Sequence, residues 1–237
     1  AAVDRPRSQG SDPDIRFLDL DEVAALIRAV PDDTLGPLER VLYLAAAMSG
    51  LRQGELVALR WRDVDWPAAL IRVRRNYSRQ TWGTPKSRRS SRAVPMADRL
   101  AGELDRHFKR STFTADDDLV FAHPVLGTPL DASKLRDRFY VAMKAAGMGQ
   151  RCGRKNGITF HSLRHTFGTR MAAAGVPLRT LQEWMGHKDH ATTQRYADYA
   201  PDPTGAAALV ARAFEPRINS RINLSASESK TEQQKAL

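Results

Sequence analysis

The chain has 237 residues, of which 42% are hydrophobic, enough for one large domain or one domain with tails. Its longest apolar runs, Leu42–Met48 and Ala206–Ala211, are too short to cross a bilayer, and the opening AAVDRPRSQGSDPD has no apolar stretch of the signal-peptide kind. A net charge of +10 points to a polyanionic partner, most often nucleic acid, while a single cysteine, Cys152, excludes an internal disulfide framework and fits a reducing cytoplasm.

Residues 1–15 are rich in Pro, Gly, Ser and charge and read as a linker; the absence of an initial methionine suggests a piece of something longer. A helix should start at Asp19, with Glu22 reaching back three positions and Leu18 and Val23 at staple positions. A second helix is expected over about Leu38–Ser49 with Gly50 as its stop, and a third from about Gln53, with Leu56 and Leu59 facing inward. Between Ala69 and Val94 the period changes. In LIRVRR, Ile71 and Val73 alternate with Arg72 and Arg74, as in a half-buried strand with a basic outer face, and RAVPM reads as a returning strand. The basic TPKSRRSS lies on the strand or turn before it.

Helical patterns return at Ala97–Phe108, Ser133–Ala146, His161–Ala174, Leu178–Met185 and about His190–Tyr199. A short helix within 201–215, bearing Leu209, Val210 and Phe214, and a polar tail over 216–237 complete the chain. The expected fold is mainly α with a small antiparallel β-sheet.

Three segments could carry chemistry. His161 and Arg164 share a helical face, and so do His161 and His165; the latter spacing fits a metal site, but the glutamate of the H-E-x-x-H pattern is missing. The segment Gly175–Gly186 resembles the turn and second helix of a helix-turn-helix, which would make the chain a DNA-binding regulator. Leu178, Leu181, Trp184 and Met185 leave that helix only a narrow polar strip, so a buried structural helix fits better. In SGLRQGEL, Arg52 follows a helix-ending Gly50 and precedes Glu55 by three. That pair is either a surface ion pair or an arginine whose fork a carboxylate holds ready for phosphate.

Taken in order, SGLRQGEL, TPKSRRSSRAVP, HSLRHTFGTRM and GHKDHATTQRYADY resemble the tyrosine recombinase (phage integrase) family, from about Ile15 to Ala200. The resemblance implies a catalytic domain over 16–200, joined through residues 1–15 to an N-terminal DNA-clamping domain. It matches Arg52 to the first family arginine, Lys86 to the lysine of the β-hairpin, and His161 and Arg164 to the His-x-x-Arg pair. His187 matches the second histidine position and Tyr196 the nucleophile, with Tyr199 its rival on the same expected helical face. Glu55 is a supporting residue. Ser162 stands where many members carry Asp, which puts a supporting hydrogen bond in question and leaves the chemistry intact.

The implied reaction is strand cleavage without metal or cofactor. Tyr196 attacks a phosphodiester, leaving a 3′-phosphotyrosyl link and a free 5′-hydroxyl, and a partner strand then reseals the break. Two arginines hold the charge of the phosphorane-like state, His161 serves as base for a tyrosine whose free pKa is about 10, His187 hydrogen-bonds the phosphate, and Lys86 protonates the leaving oxygen. Arg72, Arg74, Arg88, Arg89 and Arg92 are candidate contacts to the DNA backbone. The implied partners are double-stranded DNA, further copies of the chain (monomer when free, tetramer at synapsis) and accessory directionality or DNA-bending proteins. The 201–215 helix could dock on a neighbouring copy or on its own domain. A cytoplasmic, nucleoid-associated protein of bacterial or phage origin is expected. A type IB topoisomerase-like relaxer shares this chemistry, but the short length and the GHKDHATTQRY spacing argue against it.

Overall fold

The computed structural model describes residues 15–83, 92–153 and 157–199. Lys86, Arg88, Arg89, the 201–215 helix and the 216–237 tail lie outside the described residues, as do residues 1–14 of the expected linker. Every described residue belongs to one compact unit that lies within residues 1–200. Among the described residues no helix is long and apolar enough to cross a membrane.

Helix α1 (Leu20–Arg28) begins with the expected capping box: Asp19 accepts from the Glu22 N–H at 2.8 Å, and Glu22 accepts from the Asp19 N–H at 3.0 Å. The staple residues Leu18 and Val23 are both buried. Helix α2 (Gly36–Ser49) is the spine of the domain, buried on nearly every side between α1 and the two later helices at Asp98–Arg110 and Ser162–Ala173. A residue such as Leu42, with no exposed surface, should cost about 2–5 kcal/mol on truncation to Ala. Gly50 closes the helix at φ 64°, and a Cβ there would fall 2.4 Å from the Phe167 ring, so both the backbone and the packing require glycine. The sharp exit sends Leu51 inward and starts the short α3 (Gln53–Val57) with Arg52 at its entrance.

The sheet follows. Strands β1 (Val64–Asp65), β2 (Leu70–Val73) and β5 (Arg92–Pro95) form an antiparallel sheet in the order β1-β2-β5, with Ile71 opposite Val94 and both fully buried. Strands β3 (Asn76–Ser78) and β4 (Thr81–Gly83) make a separate hairpin packed against α3. The alternation read in LIRVRR holds, since Ile71 and Val73 are buried. Its arginines are less free than the sequence suggests: Arg72 pairs with Asp65 at 2.5 Å, and Arg74 lies 3.5 Å from the buried Asp63.

Helix α4 (Asp98–Arg110) lays Leu100 and Leu104 on the core, and α5 (Ala132–Ala145) does the same with Leu135, Phe139 and Met143. Helices α6 (Ser162–Ala173) and α7 (Leu178–Met185) fall close to where the periodicity places them. The last expected helix is different. Helix α8 covers only His190–Gln194, and a separate 3-10 turn covers Ala197–Tyr199. Tyr196 and Tyr199 therefore do not share one helical face. The break lets the Tyr196 ring turn into the core, 1% exposed, while Tyr199 packs edge-on against Phe17 with ring centroids 5.3 Å apart.

Candidate active site

The site is assembled on the C-terminal end of α7. The last carbonyls of a helix lack intrahelical donors and carry the negative end of its dipole, so they attract cations. Three consecutive carbonyls here each accept from a different arginine. Arg92 Nε donates to Trp184 at 2.6 Å, Arg164 Nη2 to Met185 at 2.5 Å, and Arg52 Nη2 to Gly186 at 2.9 Å. The same Arg164 donates through Nη1 to the carbonyl of Gly50, the C-cap of α2, so one buried guanidinium joins two helix ends. Burial and the neighbouring Arg52 lower the Arg164 pKa to about 9, still charged at neutral pH.

Glu55 neutralises part of this cluster. It receives both terminal nitrogens of Arg92, at 2.9 and 2.8 Å, Arg52 Nη1 at 3.0 Å and the Arg52 backbone N–H at 2.7 Å. Burial works to raise the carboxyl's pKa, but the hydrogen bond and charge of Arg92, with the charge of Arg52, outweigh it and hold the pKa at about 2. The two arginines differ in freedom. The Arg92 side chain is 7% exposed and Arg52 is 41% exposed. Arg92 is thus not the DNA-backbone contact expected from a basic strand face: its guanidinium is turned inward and occupied by Glu55 and Trp184. Arg52 keeps an open side, as a phosphate clamp needs.

Gly186, at φ 62°, turns the chain out of α7 and directly into His187. The His187 N–H returns to the Gln182 carbonyl at 3.1 Å, and its Nδ1 lies 2.9 Å from Oγ1 of the fully buried Thr193 on α8. Burial, followed by Arg164, Arg52 and Arg92, lowers its pKa to about 3, so the ring is neutral at pH 7. His161 stands at the N-cap position of α6, its side chain making no capping bond, and is exposed on one side. The protein packed on its other side, with Arg164 and Arg52, lowers its pKa to about 4. Ser162, whose type departs from the family pattern, accepts from the Thr159 N–H at 3.1 Å through its hydroxyl, a bond local to the start of α6.

Tyr196 closes the site. Its ring lies parallel to that of His187, 3° apart in tilt with centroids 6.4 Å apart, and its hydroxyl sits 2.8 Å from Nδ1 of His165. Helix α6 makes room for it with Gly168, where a Cβ would come within 2.5 Å of the tyrosine ring. Burial raises the phenol's pKa to about 12, against the pull of Arg164 and Arg195. The fold therefore brings Arg52, Glu55, His161, Arg164, His187 and Tyr196 to one place, with the expected Lys86 outside the described residues.

Three participants were not expected. In the sequence His165 stands out only as half of a His-His metal pair; in the fold it stands edge-on to His161, with ring centroids 4.9 Å apart, and meets the tyrosine hydroxyl. Thr193 and Gly168 carried no signal beyond proximity in sequence to the motifs. Among the described residues no group of three or more His, Cys, Asp or Glu side chains is placed to hold a metal ion. The helix-turn-helix resemblance of Gly175–Gly186 also finds its explanation. Leu181 and Met185 have no exposed surface, and the helix end is wrapped by arginines, so α7 is a scaffold for the site.

A sequence model described as the phage integrase family matches residues 16–202. The chain is 32% identical over 196 residues to the tyrosine recombinase XerC of Xanthomonas axonopodis pv. citri, covering 83% of this chain and 57% of the relative. Among solved structures it is similar to the XerA recombinase, with 28% identity and a TM-score of 0.61 over 90% of this chain and 68% of that one. It shares the fold of the Tn1549 transposon integrase in complex with a circular intermediate DNA, with 22% identity and a TM-score of 0.66 over 87% of this chain and 68% of that one. The chain spans about half the length of the curated relatives it matches. With the family model covering most of its length and the site built as above, the chain belongs to the phage integrase family, the tyrosine recombinases.

Proposed function

We propose that this chain is the catalytic part of a site-specific DNA recombinase that cuts one strand with Tyr196 and passes it to a partner strand. The observation that carries the proposal is the convergence of Arg52, Arg164, His161 and His187 around a buried tyrosine hydroxyl. Double-stranded DNA is the partner that fits a charge of +10 and a site where three arginines gather around one carboxylate. Relatives solved on DNA support the same reading.

In this mechanism the scissile phosphate sits against Arg52 and Arg164. Both are already fixed by helix-end carbonyls, so little reorganisation is needed when negative charge grows on the non-bridging oxygens. His187, with Nδ1 engaged by Thr193, presents Nε2–H to the same oxygens. The Tyr196 oxygen attacks phosphorus, the bond to the 5′-oxygen breaks, and Lys86 supplies the proton to the leaving oxygen. The phosphotyrosyl link keeps the energy of the broken bond, so attack by another 5′-hydroxyl reseals the strand without a nucleotide cofactor. Assembly of copies on DNA, up to a tetramer when two sites meet, and help from DNA-bending proteins belong to the same proposal.

Covalent capture tests it. Duplexes carrying a nick next to the cut site, drawn from a random-sequence library, lose the short 5′ fragment and trap the adduct. A denaturant-resistant protein–DNA adduct from the wild type, lost in Tyr196→Phe with DNA binding retained, is the expected result. Binding with no adduct from the wild type would instead favour a DNA-binding module.

A further inference from the structure

We propose that His165 is the base that takes the proton of Tyr196 when its oxygen attacks the phosphate. The inference rests on the recombinase reading and moves this role away from His161, the histidine that the motif alone would choose.

The hydroxyl oxygen of Tyr196 lies 2.8 Å from His165 Nδ1, within the reach a general base needs. The contact is built rather than incidental. The tyrosine ring is 1% exposed, Gly168 three residues on from His165 removes the Cβ that would collide with it, and the His187 ring runs parallel on another side. His161 has an exposed face at the open end of α6, and its ring meets His165 edge-on, so it is placed toward an incoming phosphate. Two histidines one helical turn apart thus divide the work, the outer one contacting phosphate and the inner one receiving the proton.

The groups facing His165 are His161, Arg164, Arg195 and Tyr196. Burial, then His161 and the two arginines, lowers its pKa to about 4, so at neutral pH the ring is neutral, and with its proton on Nε2 it turns the Nδ1 lone pair to the phenol. An imidazolium is unfavourable there while the site is empty. A bound phosphodiester brings the negative charge that compensates it, which ties proton transfer to the presence of DNA. The step balances: the tyrosine oxygen–phosphorus bond forms, the phosphorus–5′-oxygen bond breaks, the phenol proton moves to His165 Nδ1, and Lys86 gives a proton to the 5′-oxygen. Religation runs the same transfers backwards.

Two measurements test the assignment. The first needs no DNA: in protein carrying 15N-labelled histidine, Tyr196→Phe should shift the His165 Nδ1 resonance, and an unmoved resonance overturns the contact. The second compares His165→Asn, His161→Asn and Lys86→Ala in covalent capture, on the trapped sequence made with an ordinary and with a sulfur-bridged 5′ linkage. A thiolate leaves without a proton, whereas the nucleophile must still lose one. His165→Asn should be slowed by about 10²-fold or more on both linkages, and Lys86→Ala should recover on sulfur. Thermal melting and DNA binding near wild type would show that the fold survives in His165→Asn. Wild-type rates in His165→Asn, or its rescue by sulfur, overturn the proposal while leaving the recombinase reading intact. An absence of adduct from the wild type on every duplex counts against the recombinase reading, and the base assignment falls with it.

Discussion

Arg52 and Arg92 share one carboxylate, and together with Arg164 they fill the last two carbonyls of α7 and that of its C-cap, Gly186. Tyr196, a short distance along the chain, makes its close contacts with two imidazole rings, His165 and His187, the second of them held by Thr193, while Arg164 and Arg195 act on it through their charge. The first region holds permanent charge in place before any substrate arrives. The second keeps its titratable rings uncharged, with histidine pKa values of about 4 and about 3 and a tyrosine at about 12. The difference follows from the chemistry each side serves. A developing phosphorane needs fixed cations, whereas a nucleophile that must give up a proton and later regain it needs a partner whose charge can change. The arginine side is therefore a matter of stability as well as catalysis, and the tyrosine side is mainly one of proton transfer.

The sharpest break of that contrast is at the nucleophile. Tyr196→Phe should abolish the covalent adduct while DNA binding stays near wild type and stability falls by about 1–3 kcal/mol for the lost bond to His165, and Tyr199→Phe, altering a residue packed on Phe17, should keep the adduct. An adduct lost only in Tyr199→Phe would reverse the assignment of the tyrosine side. On the arginine side, Arg164→Lys should fall by about 10²–10³-fold in cleavage rate, since a lysine cannot serve two helix-end carbonyls and a phosphate together. Single-turnover capture measures it.

Glu55→Gln tests whether the carboxylate holds the arginines. It leaves the buried Arg92 without its counter-charge and should cost about 3–5 kcal/mol in denaturant unfolding. Adding Arg92→Met should restore part of that loss, whereas additive losses would show that the pair is not coupled.

Acid should weaken both sides, over different windows. The ionised Glu55, depressed from 4.5 to about 2, contributes stability above about pH 4.5 that is lost as the pH falls toward 2. His165 and His187, depressed from 6.5 to about 4 and about 3, are protonated first in the unfolded chain, so stability also declines as the pH falls from 6.5 to 4. Melting temperature recorded from pH 7.5 to 3 should drop across the first window and more steeply below 4.5. A flat profile between 6.5 and 4.5 would mean that the tyrosine side is not closed to protons. The smallest effect is expected on the sheet face. Arg72→Ala and Arg74→Ala remove arginines already paired with Asp65 and Asp63, so each should lower the salt slope of DNA binding by less than one.

Local chemistry is what could be read directly from the residues. The Asp19–Glu22 box, the Gly50 stop, the alternation of Ile71 and Val73 and the boundaries of α7 depend on neighbours a few positions away, and all are found where the sequence places them. The order of the four motifs named the family and most of the residues that converge. Three things were decided only by the tertiary structure. Arg92, which reads as a surface cation on a strand, is buried because Glu55 and the end of α7 come together over it. The expected 190–199 helix breaks after Gln194 because the Tyr196 ring has a slot to enter beside Gly168. And His165, not His161, meets the hydroxyl. The reason is common to all three. The partners are a carboxylate, a backbone carbonyl, an absent Cβ and a ring nitrogen contributed from distant positions, and the local pattern of side-chain types does not say which of them meet.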